Sequence, residues 1–553
     1  MRKQSKNKLR QSKKKMKRQY LWALPVVALF TLSSCSNDDT VPENKGKQNV
    51  VPAGMTEFAV DDGTTRTMGV YTGSRIDFYW TRGDKLWINN TAVTPPLVQS
   101  SKDDITDKAA TAKFYFAGTY NAQSYPVRYT GNGNNVGDKV TIKSEQKQAT
   151  PNDGTHVGTD GDCGTATATR GADGKYHFTL SHKASYITFI PYYSYEFAED
   201  VKVTQIKITA DEVLAGKFNF DDNGLDLTSR TTVGNPKKSI TLKLKDDSDN
   251  NGFSIPTSPN HTKNAAIMVL APGTYHNFTV EYRLYDQKTL VYGTVSKNYG
   301  EVTFQPGRNK KVEANLPVPH YSSDRYYMWD ATAGQHAWKG FEGSQPILKG
   351  KIGDNYPKSD SDPRWFNPVM FPTSATRSTA KCPNANEILW YTLHGDPHWD
   401  PSIWSIMKHL YAGGMWLKKL NVIAKDQNKT LQDLKAAAPG GTNYTKVYPA
   451  IPKLYERYNI NNEKIKVGKP TDTSKYILLP LFGFYYTGTT YSGSTINGYS
   501  GKGELRVIGQ RGYYWSSTPR PDMNLNGYNM YVDRSKVHAG YGDRTNGHCL
   551  WPE

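Results

Sequence analysis

KYHFTL at Lys175–Leu180 alternates apolar and polar side chains, and ASYITF at Ala184–Phe189 intersperses them in a similar way. A period of two sends successive side chains to opposite faces, so each segment reads as a half-buried β-strand. Working outward, the same pattern recurs. Ile76–Trp80 and Lys85–Ile88 flank the turn Arg82-Gly83-Asp84, and Ala112–Phe116 and Val127–Tyr129 follow. A second set begins with VKVTQIKI at Val201–Ile208, whose phase slips at Thr204-Gln205 and predicts a β-bulge there. Leu214–Phe220, Ser239–Leu244, Ala265–Leu270, Asn277–Tyr285, Glu301–Phe304 and Lys311–Leu316 complete it. Short alternating strands between Gly-, Asn- and Asp-rich turns predict β-sandwiches. With 37 Tyr and 47 Gly, the composition fits an extracellular β protein.

The amino terminus has a different character. Ten Lys and Arg fall in the first 18 residues, followed by an apolar run from Tyr20 to Leu32 that is shorter than the ~20 residues a membrane span needs. Positive flank, short apolar core and small residues make a secretory signal. Leu32-Ser33-Ser34-Cys35 resembles a bacterial lipobox, which implies diacylation of Cys35 after cleavage. The polar run Ser36–Asp39 resembles the export tag of surface lipoproteins of the Bacteroidota. The expected parts are a signal over 1–34 and a flexible tether over 35–54. Taking the ten head charges from the formal +18 leaves +8, without a clustered basic face. This argues against a nucleic-acid partner.

Beyond Pro317-Val-Pro319 the pattern changes again. Nine of the twelve Trp lie past residue 320. Asn384–Leu393 shows helical spacing, and Ile403–Ile423 places Trp404, Met407, Leu410 and Tyr411 at helical intervals. An α+β unit is therefore expected after about 319. Within it, His394-Gly-Asp-Pro-His398 brings two His near an Asp, but Gly and Pro keep them off one helix face and a zinc site is disfavoured. Asp247–Gly252 opens like a calcium loop, yet position twelve is Ser258 and a polar hairpin is preferred. No G-x-S-x-G, P-loop or HExxH occurs, and neither an enzymatic activity nor a cofactor is expected.

Two resemblances gather these observations. Phe78–Asp84 (FYWTRGD), Phe178–Ala184 (FTLSHKA), Leu270–Gly273 (LAPG) and Pro306–Lys310 (PGRNK) resemble the fimbrillin (Mfa-like) pilin family over residues 55–318. That implies two tandem transthyretin-like β-sandwiches, 55–197 and 198–318. It also implies assembly by strand exchange: a trypsin-like protease removes the first strand, Phe58–Val60, by cutting at Arg66 or Arg75, and a neighbouring pilus subunit refills the groove. Cys382–Glu387 (CPNANE), Gly512–Thr518 (GYYWSST), Tyr528–Asp533 (YNMYVD) and Gly547–Cys549 (GHC) resemble the C-type-lectin-like superfamily, in particular its major-paralogous-domain relatives. This implies a lectin-like domain over 319–553 and pairing of Cys382 with Cys549, worth ~5 kcal/mol in the chain-entropy model, with Cys163 left over. The calcium-lectin motifs are absent.

For ligand contact, Trp515 could stack on a sugar, although core is the preferred reading for that strand. Arg520, Asp533, Arg534, Asp543 and Arg544 are expected to gather in the closing loops. The function this implies is a surface-exposed fimbrial subunit, expected at the tip because the closing strand is locked in its domain. It would be lipid-anchored to the outer membrane, then incorporated in the fimbrium, and would present its head to a host or bacterial surface glycan or protein. The alternative is a glycan-binding surface lipoprotein that never polymerises.

Overall fold

The computed structural model describes residues 51–61, 68–231, 236–245, 252–446, 464–488, 491–492, 495–496 and 502–552. The signal, Cys35, most of the tether, Arg66 and Asp247–Asn251 lie outside them. Among the described residues the chain is mainly β, with only short helices. No helix among the described residues is long and apolar enough to cross a membrane.

Three apolar cores organise the strands. The first gathers Phe58, Trp80, Phe114, Phe116, Tyr125 and Tyr176 behind a nine-stranded sheet. The first strand, Met55–Val60, lies inside that sheet, parallel to Tyr176–Phe178 and antiparallel to Lys113–Ala117. Its odd neighbours Glu57 and Phe58 are both buried, Phe58 completely.

The second core runs from Tyr71 to Leu410 and takes strands from both sides of residue 198. Val201–Thr209 pairs with Thr279–Asp286, and the register shifts between Val203 and Gln205, where the phase slip predicts it. Ser185–Tyr192 departs from the expected half-burial. It lies between Ala266–Leu270 and Asn309–Asn315 with every residue from Ser185 to Pro191 buried. The polar alternates are accommodated by bonding: Ser185 Oγ donates to the Gln305 carbonyl (2.8 Å) and Thr188 Oγ1 to Asn309 Oδ1 (3.0 Å). Glu145–Gln148 adds an unusual closure. Gln146 and Gln148 are buried, and each side-chain amide pairs with the main chain of Ala266–Leu270 as a peptide would. Gln146 donates to Val269 O (2.7 Å) and accepts from Val269 N (3.1 Å). Gln148 donates to Ala265 O (2.9 Å) and accepts from Ile267 N (2.7 Å). Two side chains thus satisfy backbone groups that would otherwise be buried without partners.

The third core lies between Tyr326 and Cys549. Ala385–His394 forms the expected helix, with a capping box in which Asn384 accepts from Glu387 N and Glu387 accepts from Asn384 N. The helical reading of Ile403–Ile423 is corrected. His398–Ile406 and His409–Lys418 are antiparallel strands joined at Met407-Lys408, both with positive φ, and only Leu420–Asp426 is helical. Trp404 faces Tyr411 across this hairpin, two residues that a helix would also place on one face.

The tip of this hairpin joins the third core to the second. Ile403 packs against Gly293, where a Cβ would lie 2.1 Å from its side chain. Tyr193 and Ser405 hydroxyls lie 2.7 Å apart, and Ala198 N donates to Lys408 O (2.8 Å). The buried Asp286 carboxylate lies 2.9 Å from His409 Nδ1 and accepts from Leu410 N (2.9 Å). Burial raises the Asp286 carboxyl, but the His409 and Leu410 bonds outweigh it and hold it below its ordinary value. A depressed carboxyl stabilises the fold above its unfolded pKa of about 4 and loses that effect as pH falls through its folded value. Asp286→Ala is therefore expected to cost about 3–5 kcal/mol, read as a lower urea midpoint at pH 7, with the difference from wild type shrinking in acid.

Candidate functional site

Two regions carry the chemistry. The first surrounds Met55–Val60. Phe58 stacks on Tyr176 (4.5 Å between ring centres) and meets Phe116, Tyr120 and Tyr125 edge-on or tilted within 6.3 Å. Glu57 Oε1 lies 2.9 Å from Lys175 Nζ and 3.8 Å from Lys113 Nζ, one lysine on each neighbouring strand. Just past the strand, Asp61 bonds to His177, whose other nitrogen lies 3.1 Å from Asp173. Partial burial lowers the His177 imidazole, but Asp61 and Asp173 outweigh it and hold it above its usual value. The strand is thus bound by main-chain pairing on both edges, an aromatic box and paired charges. Arg75 lies in the exposed turn between Met68–Tyr71 and Ile76–Tyr79, with Nε 2.6 Å from Asp77.

The second region is the outer end of the third core. Trp515 is fully buried, stacked on His548 (4.0 Å) with Nε1 donating to Tyr327 O (2.7 Å), so it is core and offers no surface for a sugar. The five charged residues do not form one cluster. Asn526–Asp533 and Lys536–Asp543 make a hairpin that pairs Asn526 with Asp543 at one end and Asp533 with Lys536 at the other. Seven steps at ~3.4 Å put these ends roughly 24 Å apart. Asp533 accepts from Ser535 at the tip, where Arg534 is exposed.

At the opposite end, Arg520, Asp543 and Arg544 do come together, largely out of solvent. Arg520 is buried, bonded to Asp522 through Nε (2.7 Å) and Nη2 (2.9 Å), and lies 4.2 Å over Tyr541. Arg544 is fully buried over Trp329 (4.3 Å), and Asp543 accepts from Asn526 (2.9 Å). These charges position a loop rather than offer themselves to a ligand.

Asp330, which the sequence does not single out, pins that loop. Fully buried and with φ 51°, it accepts from Asn367 Nδ2 (2.9 Å), Thr376 N (2.9 Å) and Arg377 N (2.7 Å). The loop presents Val369, Met370 and Phe371, each more than half exposed, beside the half-exposed Met523. Asn524 Oδ1 accepts from Phe371 N (2.6 Å) and fixes the two together. The NPVMFP run (Asn367–Pro372), apolar between prolines, was the available sequence signal.

The expected Cys382–Cys549 bridge is not formed. Both are buried free thiols, as is Cys163. Burial pushes Cys382 and Cys549 each up to about 12, which keeps them protonated and unreactive. The Cys382 thiol meets the main chain of Trp551 instead. Trp551 closes the unit by packing: Nε1 donates to Trp515 O (2.7 Å) and its ring stacks on Tyr391 (4.9 Å).

His394 and His398 also part company. His394 packs on Trp390, while Asp396 takes bonds from Lys466 (2.8 Å) and Tyr476 (2.8 Å) and lies 3.7 Å from His398. Among the described residues no three His, Cys, Asp or Glu side chains are grouped to hold a metal.

No protein-family model matches the sequence, and a search of curated proteins gives no match. Solved structures do give likenesses. A Bacteroides ovatus protein provisionally named for cell adhesion is covered over 94% of its length by 47% of this chain, at 11% identity and TM-score 0.28. A similarly named Bacteroides uniformis protein shares 10% identity over 47% of this chain and 92% of its own, at TM-score 0.28. A fimbrial protein from Bacteroides ovatus aligns with 89% of this chain and 98% of its own, at 11% identity and TM-score 0.24. Likenesses this loose fix no residue-level correspondence.

Removing the Asp330 carboxylate leaves the loop amides of Thr376 and Arg377 without their acceptor. Asp330→Ala is expected to speed their hydrogen exchange by about tenfold or more, measured by mass spectrometry, with amides of the Thr279–Asp286 strand unchanged.

Proposed function

We propose that the chain is a surface-displayed, non-catalytic subunit of a fimbrillin-type pilus that receives a strand from a neighbouring subunit and presents a lectin-like head. The observation that carries this reading is the position of Met55–Val60 between two strands. Loss of an edge strand exposes one row of backbone donors and acceptors. Loss of this one exposes two facing rows and empties the Phe58 box, a groove shaped for another chain's strand.

The two arginines are not equivalent for such a step. In sequence, Arg66 follows the first strand directly, so a cut there frees that strand alone. A cut after Arg75 also removes Met68–Tyr71, which pairs with both Ile76–Tyr79 and Asp153–Gly154. Arg66 is therefore the maturation site in this reading.

The tip position is favoured by the closing strand, His548–Cys549. It lies between Tyr326–Tyr327 and Arg511–Pro519, with Trp551 anchored beyond it, and so is poorly placed to be donated. In this reading 55–197 and 198–318 are the tandem sandwiches and 319–553 the head. Diacylated Cys35 holds the precursor at the outer membrane, other pilus subunits are the assembly partners, and a glycan or protein on a facing surface is the ligand.

Mass spectrometry of protein extracted from the cell surface tests this reading. A mature start at Thr67 is expected. A lipidated Cys35 with the first strand retained in all of the surface material overturns it in favour of a glycan-binding lipoprotein that does not polymerise.

A further inference from the structure

Two turns of the third unit, residues 335–341 and 354–364, face each other across an open cleft of about 570 Å³. That volume lies within the range of small-molecule sites. Arg364 braces the cleft from behind. It is buried, its Nε and Nη2 bond Asp362 at 3.0 and 2.6 Å, and Nη1 donates to Ala337 O (3.1 Å) on one turn and Asn355 O (3.0 Å) on the other. Partial burial raises the Asp362 carboxyl, but the Arg364 side chain and main chain outweigh it and hold it below its ordinary range. The spacing of the two turns is thus fixed by an ion pair whose charges are already matched to each other.

Phe341 lines this cleft and is 42% exposed. A single exposed aromatic residue is ordinary on a protein surface. Here the Arg364 guanidinium lies 4.7 Å from the ring centre and packs on the ring. The ring is therefore held in place while much of it stays open to the cleft. Around it stand Gln335, Asn355, Ser359 and Ser361; Asp362 is matched by Arg364 and Lys339 by Glu342 (3.9 Å), which leaves one cation, Lys358, and one anion, Asp354, on the lining. Amides and hydroxyls surround one apolar ring, and the charges balance.

We propose that this cleft binds one neutral pyranose ring of a glycan, stacked on Phe341. A pyranose has the matching two-sided chemistry: a face of C–H groups for the aromatic ring and a rim of hydroxyls for the amides and serines. A wholly apolar ligand would strip water from those polar groups without replacing its bonds, and balanced charge gives an anion no advantage. The site does not depend on strand exchange and would serve a polymerised or a solitary molecule equally.

The test uses the intact protein and saturation-transfer NMR with the methyl glycosides of glucose, galactose, mannose and N-acetylglucosamine. At least one is expected to bind with a Kd of about 1 mM, equivalent to ~4 kcal/mol. Phe341→Ala is expected to weaken it by about tenfold without changing the melting temperature, while Phe341→Trp retains binding. If none of the four binds, or if Phe341→Ala binds as wild type does, the proposal is overturned.

Discussion

A buried carboxylate, Asp286, fixes how the third unit meets the second. It ends the strand Thr279–Asp286 and receives the His409 imidazole and the Leu410 amide from the hairpin tip. Because Leu410 and Ile403 belong to the second core, the hairpin is structural material of both units. Taking a charge out of water is costly unless its bonds are met. Oδ1 is met locally by the Lys288 and Thr289 amides, but Oδ2 is met only when the units sit in this relation, so the buried carboxylate selects the geometry more than it adds net stability.

The same device recurs wherever the chain must hold an irregular segment. Asp330 gathers the loop that carries Val369–Phe371, and Arg364 spans the two turns of the cleft. Gln146 and Gln148 act as substitute peptide groups along Ala266–Leu270. In each case a buried polar side chain replaces regular backbone pairing. Long Gly- and Pro-rich connections are thereby held without the cost of unsatisfied polar groups.

How much of this was legible depended on whether local pattern or distant contact decided the outcome. Lys175–Leu180, Ser239–Leu244 and the helix after Asn384 were legible because alternation and helical spacing are local signals. The hairpin at 398–418 was not. Trp404 and Tyr411, seven residues apart, would share one face of a helix and they meet across a tight turn, and the positive φ of Met407 and Lys408 leaves no mark in residue type. Ser185 and Thr188 looked solvent-facing because their acceptors, Gln305 and Asn309, are more than a hundred residues away. In the candidate site, Arg520, Asp543 and Arg544 were brought to one end of the hairpin by contacts with Tyr541 and Asn526. Asp533 and Arg534 were not, since a hairpin carries its turn away from its ends. Asp330 and Phe341 were missed because their neighbours come from other segments.

The mixed pairing of Met55–Val60, parallel on one side and antiparallel on the other, has a directional consequence. A strand taking its place with the same hydrogen bonds would have to run the same way, since reversal exchanges the evenly spaced ladder for the alternating one on both edges at once. A junction in which a strand from another part of the neighbouring chain fills this groove is then head-to-tail, whereas two copies that exchange this same strand close as a two-fold dimer.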